Sequence, residues 1–94
     1  MYRYAVVYSG AVIKTNEKFQ MYFPDFSKVF PMEGPDDIAG ARLELEEYLK
    51  TINKSSIPKP TSWSDTILKT KKYLRINGID LSNYISTNKV VVGL

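Results

Sequence analysis

Cysteine and histidine are both missing from the 94 residues of this chain. Without cysteine there are no disulfides and no thiolate metal ligands, which agrees with a reducing compartment. Without histidine there is no imidazole general base and no Ser-His or Cys-His nucleophilic pair, and most transition-metal sites lose their commonest ligand. The five glycines fall into neither the G-x-G-x-x-G nor the G-x-x-x-x-G-K-[ST] spacing that cradles phosphates. Long apolar runs are missing too: nothing approaches the about 20 consecutive residues of a membrane span. The opening Met1-Tyr2-Arg3-Tyr4-Ala5-Val6-Val7-Tyr8 has a short apolar stretch broken by Arg3, and no small-residue cleavage site follows it, so it does not read as a signal peptide. The expectation is a soluble cytoplasmic protein with no membrane association, no metal and no cofactor.

What is present suits one globular domain over residues 1–94. Hydrophobic residues make up 44% and aromatics 13%, enough for a core without staples. The net charge of +3 hides an asymmetry. Up to Leu49, eight acids outnumber Arg3, Lys14, Lys18, Lys28 and Arg42; from Lys50 onward, eight bases face only Asp65 and Asp80. An acidic half and a basic half suit different partners.

Residues 2–7 read as a strand rich in aromatic and branched side chains, and residues 10–14 extend it. A polar turn at Thr15-Asn16-Glu17-Lys18 precedes a second strand, Phe19-Gln20-Met21-Tyr22-Phe23, which Pro24 stops. A third strand is expected at residues 28–32. Strands this close in sequence pair as an antiparallel meander, because parallel pairing needs a longer crossover. Gly34-Pro35-Asp36-Asp37 starts a helix, since a carboxylate there accepts from unpaired amides at the positive end of the dipole. Ile38, Ala41, Leu45, Tyr48, Leu49 and Ile52 form its apolar stripe. The Ile57-Pro58-Lys59-Pro60 segment must be extended. A second helix, capped by Ser64 or Asp65 and stopped at Asn77-Gly78, is expected to turn Ile67, Leu68 and Leu74 inward. Lys89-Val90-Val91-Val92 is the last strand, and its valine run suits a central or doubly covered position. The fold class is α+β, in the order β-β-β-α-α-β, with the helices expected on one side of the sheet.

No carboxylate pair stands out as catalytic. Asp36 and Asp37 serve as helix caps, Glu44, Glu46 and Glu47 lie off the apolar stripe, and Asp25 follows a strand end where Asx turns are common. The expectation is therefore a protein that is not an enzyme. Tyr2, Tyr4 and Tyr8 share one face of a regular strand, and Trp63 reads as a partly buried core residue. Lys69, Lys71, Lys72 and Arg75 gather on the second helix with Tyr73 and Trp63 nearby. Such a cluster suits phosphate contact, although no helix-turn-helix, zinc-finger or RNP pattern accompanies it.

Taken together, the N-terminal strand, Phe19-Gln20-Met21-Tyr22-Phe23-Pro24-Asp25-Phe26, the helix opening at Asp36-Asp37-Ile38, Ile57-Pro58-Lys59-Pro60 and the closing Val90-Val91-Val92 resemble HicB antitoxins. The resemblance implies a partial RNase H-like fold without nuclease machinery. It also implies a protein that neutralises a HicA-type mRNA-cleaving toxin by covering its active surface, and that forms a homodimer or higher homo-oligomer. The candidate partner-binding residues are Tyr22, Phe23, Asp25 and Phe26. Two features depart from the family pattern. Ser27-Lys28 stands where a turn glycine is usual, and the DNA-binding module that many relatives carry after the last strand is not expected, while residues 63–88 look like an insertion before that strand. An orphan or phage-borne relative, or a small nucleic-acid-binding protein using the basic second half, is the alternative reading.

Overall fold

The computed structural model describes residues 5–93. The start of the first strand and the tyrosine face that includes Tyr2 and Tyr4 lie outside the described residues. Four strands, β1 (Ala5–Thr15), β2 (Lys18–Phe23), β3 (Lys28–Met32) and β4 (Tyr84–Gly93), form one antiparallel sheet in the order β3-β2-β1-β4. The first three make the expected meander. Its β1–β2 turn places Asn16 and Glu17 at positive φ, and Ser27 takes the same left-handed region between β2 and β3. Asparagine tolerates that region best; for glutamate and serine the turn imposes it.

Two helices complete the fold: α1 (Ile38–Leu49) and α2 (Trp63–Ile76). Asp37 caps α1, its carboxylate accepting from the Gly40 amide at 3.1 Å and from the Glu33 amide at 3.0 Å. Ala41, Leu45 and Leu49, spaced four apart, are the buried stripe of α1. The cap of α2 is Ser62, whose hydroxyl accepts from the Asp65 amide at 3.2 Å, and not Ser64 or Asp65. Gly78, at φ 68°, ends it: the Gly78 amide donates to Arg75 and the Ile79 amide to Leu74, the paired bonds of a Schellman stop.

The helices pack on opposite faces of the sheet, where the sequence suggested one side. Tyr8, Val12, Met21, Phe23, Phe30, Val90 and Val92 share a face by strand alternation, and they form one core with Ala41, Leu45 and Leu49 of α1. Ile13 and Tyr22 point the other way and form a second cluster with Leu74 of α2. The two faces differ in side-chain size. On the α2 face β1 presents Ser9 and Ala11, both buried, and α2 meets the sheet with Thr66 and Thr70, both fully buried. Small residues on both sides let the helix approach closely. That explains why Leu68, expected inward, is 64% exposed while two threonines took the inner positions.

β4 differs from expectation in two ways. It begins at Tyr84 rather than Lys89, and a register shift opposite Val12 and Ile13 marks a bulge at Ile85. It is also an edge strand, not a central one; β1 holds the central position. The valine run survives on an edge because Val90 and Val92 feed the α1 core while Val91 is half exposed on the α2 face. The proline connector is extended, as required, and crosses the sheet end under two tethers. The Tyr8 hydroxyl donates to the Pro58 carbonyl at 2.7 Å, and the Asp25 carboxylate accepts from the Thr61 amide at 3.2 Å and from the Thr61 hydroxyl.

Candidate interaction surfaces

The four residues singled out for partner binding are engaged inside the fold. Phe23 is fully buried in the α1 core. Phe26 sits edge-on to Tyr8 and to Tyr48. Asp25 is the acceptor that pins Thr61. Tyr22 stacks on Tyr73 with ring centroids 4.1 Å apart, joining β2 to α2. Burial pushes the Tyr22 phenol above its ordinary value, and the neighbouring Tyr73 adds to the effect. Phe23 is turned inward by the alternation of β2, and Phe26, in the turn that follows, is partly buried against the α1 core.

The charges, by contrast, remain at the surface and are sorted by helix. Along α1 and the turn before it stand Glu33, Asp36, Asp37, Glu44, Glu46 and Glu47 against Arg42 and Lys50; Lys50 is already paired with Glu47 at 3.2 Å, and the Lys28 ammonium of β3 lies on the same side, 5.3 Å from the Tyr48 ring centroid. On the α2 side stand Lys69, Lys71, Lys72 and Arg75 against Asp65. Among the described residues none of these four cations lies within ion-pair distance of a carboxylate. The acids of the first half thus gather on α1 and the turn before it, and bases of the second half on α2. The four cations do not act as one cluster. The helical repeat of 100° per residue sends Lys69 and Lys72 toward β2, Arg75 outward and Lys71 toward β4.

Lys69 and Lys72 border an open groove of about 370 Å³ between α2 and the β2–β3 turn, together with Tyr22, Ser27, Tyr73 and Ile76. The Lys69 ammonium reaches the Thr61 hydroxyl at 3.5 Å. Leu68 and Ile76, 64% and 70% exposed, lie among the cations. Trp63, expected to be partly buried, is 41% exposed at the start of α2 with the Lys89 ammonium 6.0 Å from its ring centroid.

A second groove, of about 310 Å³, runs between α1 and the outer edge of β4, bordered by Ile38, Ala39, Arg42 and residues 89–91. The other sheet edge is β3, only five residues long and interrupted by Pro31, two features that blunt an edge. β4 is ten residues long and lacks proline. At its end the Gly93 amide points outward and donates to the Glu46 carboxylate at 2.9 Å. By the alternation of an antiparallel strand, Val91 and Lys89 turn their amides outward as well.

Among the described residues no group of three or more acidic side chains is placed to hold a metal ion, and no helix is long and apolar enough to cross a membrane. Compared with known proteins, the chain matches no family model, no curated protein and no solved structure.

Proposed function

We propose that this domain is a non-catalytic, cytoplasmic protein-binding module of the HicB antitoxin type, acting on a small basic ribonuclease of the HicA type. The observation that carries the reading is the set of exposed acids on α1 and just before it, Glu33, Asp36, Glu44 and Glu47, against Arg42 and Lys50. A positively charged nuclease surface that grips RNA is complementary to such a set, so docking there covers the surface the toxin needs. The resemblance in the order of strand, capped helix, Ile-Pro-x-Pro connector and valine strand supports the same partner class.

In this reading the β4 edge pairs with the β4 of a second copy. With Val90 facing Val90 across the two-fold, Lys89 lies opposite Val91, which avoids placing like charges directly opposite each other. The outward amides of Val91 and Lys89 then find carbonyl partners.

Co-expression with a HicA-type toxin tests the proposal. Rescue of growth and co-purification are expected, and E44K/E47K is expected to abolish both while leaving the fold intact, because both side chains are exposed. Absence of association by the unaltered domain sinks the reading.

A further inference from the structure

The groove between α2 and the β2–β3 turn offers donors and no carboxylate. Its border carries the ammonium groups of Lys69 and Lys72, the hydroxyls of Ser27, Tyr22 and Tyr73, and the exposed side chain of Ile76. The Tyr22 phenol, raised above its ordinary value by burial, is a protonated donor at neutral pH. Neither lysine is spent on an ion pair among the described residues. Such a lining selects an anion with several acceptor oxygens.

We propose that this groove binds single-stranded nucleic acid, with backbone phosphates on Lys69 and Lys72 and an unpaired base against Tyr73 and Ile76. Two observations favour a strand over a small phosphate compound. The groove is open rather than enclosed. Exposed Leu68 and Ile76 are interleaved with the cations, a mixture that suits alternating phosphates and base faces. A duplex hides its base faces within the stack, so it cannot use the apolar part of the site. The acidic α1 side repels a polyanion, which leaves the α2 side as the approach. The site lies on the opposite sheet face from the surface assigned to the toxin, so each proposal stands or falls without the other.

Fluorescence anisotropy with labelled oligo-dT and oligo-U, and with a duplex of the same length, tests the assignment on the full chain. Two phosphate contacts predict that log K falls with log salt at a slope of about −1.4, at roughly −0.7 per contact for a single strand. K69Q/K72Q is expected to weaken binding about tenfold or more, whereas Lys71→Gln, on the far flank of α2, changes it by less than about twofold. Ile76→Ala is expected to weaken single-strand binding while leaving the salt slope unchanged. Far-UV circular dichroism confirms that each variant folds, since all four side chains are exposed. Equal affinity for duplex and single strand, an unaltered affinity in K69Q/K72Q, or no binding at low salt overturns the proposal.

Discussion

The Tyr8 hydroxyl donates to the Pro58 carbonyl at 2.7 Å, joining the central strand to a connector 50 positions further along the chain. A proline-rich segment cannot hydrogen-bond into a sheet, because each proline lacks the amide proton. It has to be held by its carbonyls or by the residues beside it. Tyr8 takes the Pro58 carbonyl and Asp25 takes the Thr61 amide and hydroxyl. These two tethers, three hydrogen bonds in all, fix the path by which the chain passes from α1 on one sheet face to α2 on the other.

Removing the first tether should therefore be felt as stability. Tyr8→Phe keeps the ring that packs in the core and deletes only the hydroxyl, leaving the part-buried Pro58 carbonyl without that donor. A loss of about 1 kcal/mol is expected, the usual net worth of such a bond. For a domain of this size that corresponds to a fall in Tm of roughly 4–8 °C. Asp25→Ala should cost more, about 1–3 kcal/mol, because two donors lose an ionised acceptor together. Urea denaturation of both variants checks the order; a Tyr8→Phe variant as stable as the parent removes the tether from the account.

Thr66 makes the opposite case. It is fully buried under β1, and its hydroxyl has no hydrogen-bond partner among the described residues, while the Thr70 hydroxyl donates to the Thr66 carbonyl at 2.8 Å. An unpaired buried hydroxyl costs about 1–3 kcal/mol relative to an apolar group of the same shape. Thr66→Val replaces it with a methyl of nearly equal size, and the urea midpoint should rise without a change in m-value. A lower midpoint means that the hydroxyl is satisfied in solution.

Alkaline pH should act through Tyr22. Its phenol titrates above the ordinary value of 10.0, raised first by burial and then by Tyr73. The unfolded chain loses that proton earlier, so the unfolded state binds fewer protons as pH rises past about 10. The contribution to stability is complete below that pH and is lost as pH climbs through the folded-state value. Tyr22→Phe keeps the ring but cannot ionise. Urea midpoints followed from neutral to strongly alkaline pH should fall less steeply in the variant; parallel curves would falsify the assignment.

How much of this was legible in the sequence depends on what each residue answers to. Local signals carried the meander, the Asp37 cap and the Asn77-Gly78 stop, since turn chemistry and helix ends are decided by a few neighbours. The periodic stripe at Ala41, Leu45 and Leu49 was readable because α1 covers large side chains. The helix α2 and its inward Leu74 were readable, but Leu68 was misplaced because Thr66 and Thr70 take the other inner positions. Their burial depends on Ser9 and Ala11, more than fifty residues away, and no local pattern reports that. The same holds for the helices lying on opposite faces and for β4 at the edge. As for the candidate surfaces, Lys69 and Lys72 were named from charge alone. Tyr22 and Tyr73 join them only through the contact between β2 and α2.

The β4 edge gives the last prediction. Glu46 reaches across from α1 and closes the Gly93 amide, which leaves the outward amides of Val91 and Lys89 as the open part of the strand. An edge of this length without proline is a site for another strand, and a covering carboxylate limits how far pairing can run. Glu46→Ala frees Gly93 and removes a negative charge from the border, so sedimentation velocity should show stronger self-association. Val91→Lys places a second cation beside Lys89 on the exposed face and sets like charges opposite each other in the pair, so it should drive the protein toward monomer. Because Glu46 and Val91 act on the same edge, the double variant should be monomeric. A double variant that still associates would show that the contact between copies lies elsewhere on the surface.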